Sequence, residues 1–107
     1  MSSPVEGLRT LAEAINLVST TLKRKGDAYG PTFRRVGQAL GVPPQYSVLV
    51  RMLEKTMRLD NLLKLGPVQR TAVAEEFLDL ACYAVLGLLE SSPAAEPDTE
   101  SVAQLML

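Results

Sequence analysis

The thirteen residues Phe77–Leu89 constrain the fold of this chain more than any others. Read at helical spacing they are apolar almost all round, with Asp79 the only charge. A helix of that kind is buried on most sides, in a bundle or at a subunit contact. Its uncharged part, Leu80–Leu89, is ten residues long, about half of the ~20 needed to span a bilayer. No membrane association is therefore expected, and the start Met1-Ser2-Ser3-Pro4 has neither the basic nor the apolar stretch of a signal peptide. The single cysteine, Cys82, suits a reducing compartment, so the cytoplasm (of the host cell for a viral protein) is the expected location.

Helical periodicity extends to most of the remaining chain. Leu8, Leu11, Ala12, Ile15, Val18 and Leu22 recur at intervals of three and four, Lys23-Arg24-Lys25 suits the last turn of a helix, and Gly26 is a stop. Asp27–Pro31 reads as a loop, with Thr32 placed to cap a short helix over Phe33–Leu40 that ends at Gly41. After Pro43-Pro44 the spacing predicts a helix over Gln45–Leu65, closed by Gly66, and another from about Val68 to Leu89 with Pro67 in its first turn. Gly87, inside that last helix, suggests a close helix approach. No repeat and no strand pattern is present. The expected fold is all-α, a bundle of three long helices plus one short helix, completed by oligomerisation because so few residues leave Phe77–Leu89 under-covered. Residues 91–107 change character, being acidic and proline-interrupted with an apolar end, and read as a flexible tail on a domain spanning residues 1–90.

Composition narrows the chemistry. The chain has no histidine, which removes Ser–His–Asp and Cys–His catalysis and nearly removes a Cys/His zinc site. Acid–base work would fall to carboxylates, Lys, Tyr or metal-bound water. Charge is segregated: all 11 Lys and Arg lie in residues 1–70 with five acids, whereas residues 71–107 hold seven acids and no base. No extended basic surface suited to a DNA or RNA duplex is evident.

Three clusters could carry function. Arg51, Glu54, Lys55 and Arg58 fall at spacings of 0, 3, 4 and 7 and share one helix face, which Asn61 continues. Leu49, Met52, Leu53, Thr56, Leu59 and Leu63 occupy the opposite face. The charged stripe fits either a site or a solvated outer face in which Glu54 pairs with Arg51 and Arg58. Glu75, Glu76 and Asp79 form the second cluster. Acids near a helix start are favoured by its dipole, but Asp79, set among Phe77, Leu78, Leu80 and Ala81, needs a cation, and the Gln45–Leu65 helix offers the natural ones. The third cluster, Lys25 to Phe33 with Tyr29 at its centre, could hold a base or phosphate, or plug an interhelix turn.

Glu75-Glu76-x-x-Asp79-Leu80-x-x-Tyr83 is similar to the E-E-x-x-D-L-x-x-Y segment of the all-α NTP pyrophosphatases, the MazG and dimeric dUTPase relatives. Lys25-x-x-x-Tyr29-Gly30 and Arg51-x-x-x-Lys55-x-x-Arg58-Leu59-x-Asn61 resemble a phage-associated branch linked to nucleotide modification. The resemblance spans about residues 8–90. It implies a Mg²⁺-dependent pyrophosphohydrolase in which Glu76 and Asp79 match one acidic pair and Glu54 one member of another. The fourth acid is replaced by Arg58, with Lys55 alongside, and cations there would contact phosphate directly.

Two function classes follow, with a third in reserve. One is a phage-type nucleotide-binding protein that clasps phosphates without hydrolysis and without a cofactor. Lys25, Tyr29, Arg51, Lys55, Arg58 and Asn61 would be its ligand contacts, and its concrete form is anti-defence sequestration of a nucleotide or cyclic-oligonucleotide immune signal. The alternative is a pyrophosphohydrolase giving monophosphate and diphosphate, with Glu54, Glu76 and Asp79 on Mg²⁺. The third is a non-catalytic helical homo-oligomer whose charged stripe is a subunit contact.

Overall fold

The computed structural model describes residues 3–92, apart from the side chains of residues 26–30 and of Val68. Three α-helices make the body: α1, Leu11–Leu40; α2, Pro44–Lys64; and α3, Arg70–Ser91. Short 3-10 turns precede α1 (Pro4–Gly7) and α3 (Pro67–Gln69), and the described residues contain no strand. The all-α expectation holds. Among the described residues no helix is long and apolar enough to cross a membrane. The acidic tail expected over residues 91–107 lies outside the described residues from position 93 onward.

α1 begins with reciprocal capping. Thr10 Oγ1 accepts from the Glu13 amide at 3.1 Å, while the Glu13 carboxylate accepts from the Arg9 amide at 3.3 Å. The helix then runs unbroken to Gly41, which closes it in the left-handed conformation at φ 72°. The expected break at 26–31 and the separate Phe33–Leu40 helix therefore do not exist, and Thr32 lies inside α1 rather than at a helix start. Pro31 lies inside α1 and forfeits one backbone hydrogen bond, a disruption of about 3 kcal/mol. Packing supplies the offset. Leu22 and Phe33 are eleven residues apart, three full turns, so one continuous helix brings both to the same core. Phe33 is buried there with Val48 and Leu86, beside Met52, and meets the Tyr83 ring edge-on at 6.0 Å between centroids.

α2 starts at Pro44, where a missing N–H costs nothing, and no side chain caps it. Gly66 breaks the chain at φ 92°, in the role expected of it. α2 and α3 form the most extensive interface, across which Val48 and Leu59 of α2 and Cys82 and Leu86 of α3 are buried. At one end Arg34 of α1 reaches Glu90 of α3 at 3.0 Å, and the Gln45 side-chain amide donates to the Glu90 carbonyl. Gly87 does not serve a tight approach: a Cβ built there would meet only Val48 Cγ1, at an ordinary 3.5 Å. The tight glycine is Gly37, where a Cβ would come within 2.7 Å of the Val42 carbonyl oxygen at the α1–α2 turn.

Candidate functional site: cations over a carboxylate pair

The α2–α3 interface assembles the two charged clusters that the sequence pattern picks out. Lys55 does not face solvent. Its side chain is 16% exposed, and its ammonium lies 2.9 Å from Asp79 Oδ2 and 3.4 Å from Glu76 Oε2. Arg58, one turn further along α2, meets the other Glu76 oxygen through Nε at 3.3 Å. Asp79 thus finds its cation on the helix expected to supply it. Glu76 is buried, and its contact with Lys55 is ionic rather than hydrogen-bonded: Oε2 is enclosed and has no hydrogen-bond partner. That orphaned oxygen makes Lys55 costly to remove, since its charge would be left bare in a dry place.

The electrostatics follow from this placement. Burial works against the Lys55 ammonium. The hydrogen bond to Asp79 and the charges of Asp79 and Glu76 outweigh burial and the opposing Arg58, raising the Lys55 pKa above its usual 10.5. Cys82, one turn beyond Asp79, is held above its usual 9.0 by burial and then by the Asp79 charge, with Lys25 pulling it down. Lys25 of α1 therefore acts electrostatically on the same face of α3. Glu75 is exposed on the neighbouring face. The dipole account of these acids does not apply, because α3 starts at Arg70 and its first turn is free of acids.

The remaining candidates are more scattered. Arg51 and Glu54 form an exposed pair at 3.6 Å within α2, as in the solvated-face alternative, but Arg58 turns to Glu76 and does not join them. Asn61 is exposed, with no hydrogen bond among the described residues. Tyr29 sits in the backbone of α1, and its side chain lies outside the described residues.

The Mg²⁺ implied by the sequence resemblance can be tested against these residues. Between Glu76 and Asp79, where a divalent ion would sit, stands the Lys55 ammonium, and Glu54 is committed elsewhere on α2. Among the described residues no group of three or more His, Cys, Asp or Glu is placed to hold a metal ion. The donor set does not fit a divalent cation, because one of its own side chains already supplies the charge.

The sequence pattern implies the α2–α3 pairing, and the inward face of α2 only in part. Of the apolar face expected opposite the charges, Leu59 is buried and Met52 packs on the core, whereas Leu49, Leu53 and Leu63 are exposed and Lys55 is covered along with Val48. The missed signal is the i, i+4, i+7, i+11 stripe Val48, Met52, Lys55, Leu59, in which a lysine occupies an apolar register. Compared with known proteins, the chain matches no family model, no curated protein and no solved structure.

Proposed function

We propose that this protein binds a nucleotide through its phosphates and leaves it intact. The observation that carries this reading is the Lys55 ammonium seated between Glu76 and Asp79, with Arg58 braced on Glu76. Carboxylates that would otherwise collect a metal instead orient two cations. Arg58 meets Glu76 through Nε while its side chain remains 64% exposed, which leaves guanidinium N–H groups open to fork onto a phosphate. Arg51 lies two turns earlier on α2, and Lys25 belongs to α1. For a phage-type protein, the concrete ligand is a nucleotide or cyclic-oligonucleotide immune signal that is held rather than degraded.

The test is to incubate the protein with linear nucleotides and cyclic oligonucleotides, with and without Mg²⁺, and to analyse the ligand afterwards. Recovery of unchanged ligand from a heat-denatured complex supports the reading, and Mg²⁺-dependent release of diphosphate refutes it. Arg58→Ala should weaken binding by about tenfold or more, the worth of a charge-assisted hydrogen bond. Asp79→Ala is a poor probe, because it also strips Lys55 of its closest partner.

A further inference from the structure

α2 carries a second apolar stripe, on the side away from the core. Tyr46, Val50, Leu53 and Met57 are spaced by four, three and four residues, and each is between 52% and 68% exposed. Val50 and Met57 each follow an inward-facing residue, Val48 and Lys55, by two positions, which is about 200° around a helix. The stripe is therefore outward by construction. Its spacing is that of a two-helix seam, with a β-branched residue and a leucine at the two central positions.

We infer that this stripe is the interface with a second copy of the chain, formed by α2 against the partner's α2 in antiparallel orientation. The charges at its end select the orientation. Continuing the same spacing beyond Met57 reaches Asp60 and Lys64, which pair with each other at 2.9 Å. In a parallel pair each would face its own copy, acid on acid and ammonium on ammonium. An antiparallel pair with its two-fold axis between Val50 and Leu53 avoids this. Val50 then packs on the partner's Leu53 and Tyr46 on the partner's Met57, with the same contacts repeated by symmetry. Asp60 falls beyond the seam, beside the N-terminal end of the partner's α2. That end starts at Pro44 and has no side-chain cap, so a carboxylate there meets the positive end of the helix dipole. Arg51 and Glu54 pair with each other at 3.6 Å beside the stripe, so the two charges there are already offset within one copy.

This inference does not depend on the ligand reading, and its test uses the full chain without ligand. Sedimentation equilibrium across a hundredfold concentration range should fit a monomer–dimer or higher even-numbered association. Met57→Lys should raise the dimer dissociation constant by about 30-fold or more, the effect of replacing an apolar seam contact by a charge. Leu53→Glu should do the same, and both variants should keep the wild-type helical circular dichroism, since neither side chain belongs to the core. Oxidised mixtures of Tyr46→Cys and Met57→Cys chains should give mixed disulfide dimers, with wild type as the control for the buried Cys82. A monomer at all concentrations would overturn the inference, whether residues 102–107 or a different protein covers the stripe. Self-linking of Tyr46→Cys alone would overturn the antiparallel orientation, and a dimer unmoved by both charge substitutions would overturn the interface.

Discussion

Replacing Lys55 by alanine tests the electrostatic account of the site most directly. The substitution removes the ammonium 2.9 Å from Asp79 and 3.4 Å from Glu76. Glu76 would keep Arg58 on one oxygen while the enclosed oxygen faced nothing. Breaking a fully buried pair costs about 3–5 kcal/mol. Here Arg58 survives and Asp79 is 40% exposed, so water can take over part of the lost solvation. About 2–3 kcal/mol is then expected, a Tm lowered by roughly 10–15 °C for a domain of this size. Thermal unfolding followed by circular dichroism at pH 7 measures it. A double cycle with Glu76→Gln isolates the pair, because the cost of Lys55→Ala should fall by at least about 1 kcal/mol once the glutamate charge is gone. A loss under about 0.5 kcal/mol, typical of an exposed ion pair, would refute the claim that Lys55 is a buried counter-ion.

Other outcomes follow from the same geometry. In Lys55→Ala the carboxylate pair is short of a cation, so millimolar Mn²⁺ should raise the melting temperature of the variant and not that of the wild type, as read by a thermal-shift titration. Gly87→Ala should stabilise the protein by about 0.5–1 kcal/mol in urea unfolding, because a helical glycine gains from a Cβ that fits at 3.5 Å. Gly37→Ala should destabilise it by about 1–3 kcal/mol, since its Cβ would meet backbone at 2.7 Å. Stability should also fall with pH on the alkaline side. The folded Cys82 thiol holds its proton above the usual 9.0 and Lys55 above the usual 10.5, so the folded state binds more protons than the unfolded chain. Denaturant midpoints should therefore be insensitive to these two groups below pH 9 and decline above it. Cys82→Ala should remove the first part of that decline.

What the sequence made legible was periodicity, and what it hid was the choice among stripes. Gly66 with Pro67 marked a real boundary because a positive φ and a missing N–H coincide with the end of the apolar pattern. Gly26, Gly30 and Pro31 raised the same flags where the pattern does not end: Leu22 and Phe33 stay in phase across them. Punctuation lost to packing there, since an aromatic residue aligned with the core outweighs one forfeited hydrogen bond. α2 posed the harder problem. It has apolar residues on two opposite sides, and amphipathicity alone would turn the lysine outward. Only the isolated Asp79 on another helix indicates that Lys55 goes in, so the assignment depends on a pair of residues 24 positions apart. The roles of Tyr29 and Asn61 rest on motif order alone, which no local energetic term fixes.

Lys55 and Arg58 together bring two positive charges to Glu76 and Asp79, the same charge that one divalent ion would bring. The substitution is equal in charge and unequal in chemistry. An ammonium neutralises and donates hydrogen bonds, but it has no open coordination position at which to lower the pKa of a bound water. Its worth lies in being permanent: the cation is tethered to α2 and cannot be diluted or chelated away. The same tether welds α2 to α3 through a polar contact at the edge of a core whose main cluster is three buried apolar side chains, Phe33, Val48 and Leu86. An anion bound at Arg58, as proposed, would meet an arginine already in contact with Glu76 at 3.3 Å, which lowers part of the ordering cost of binding. Because the carboxylates cancel most of the local field, the phosphate contact proposed above would discriminate by the geometry of its N–H groups more than by charge.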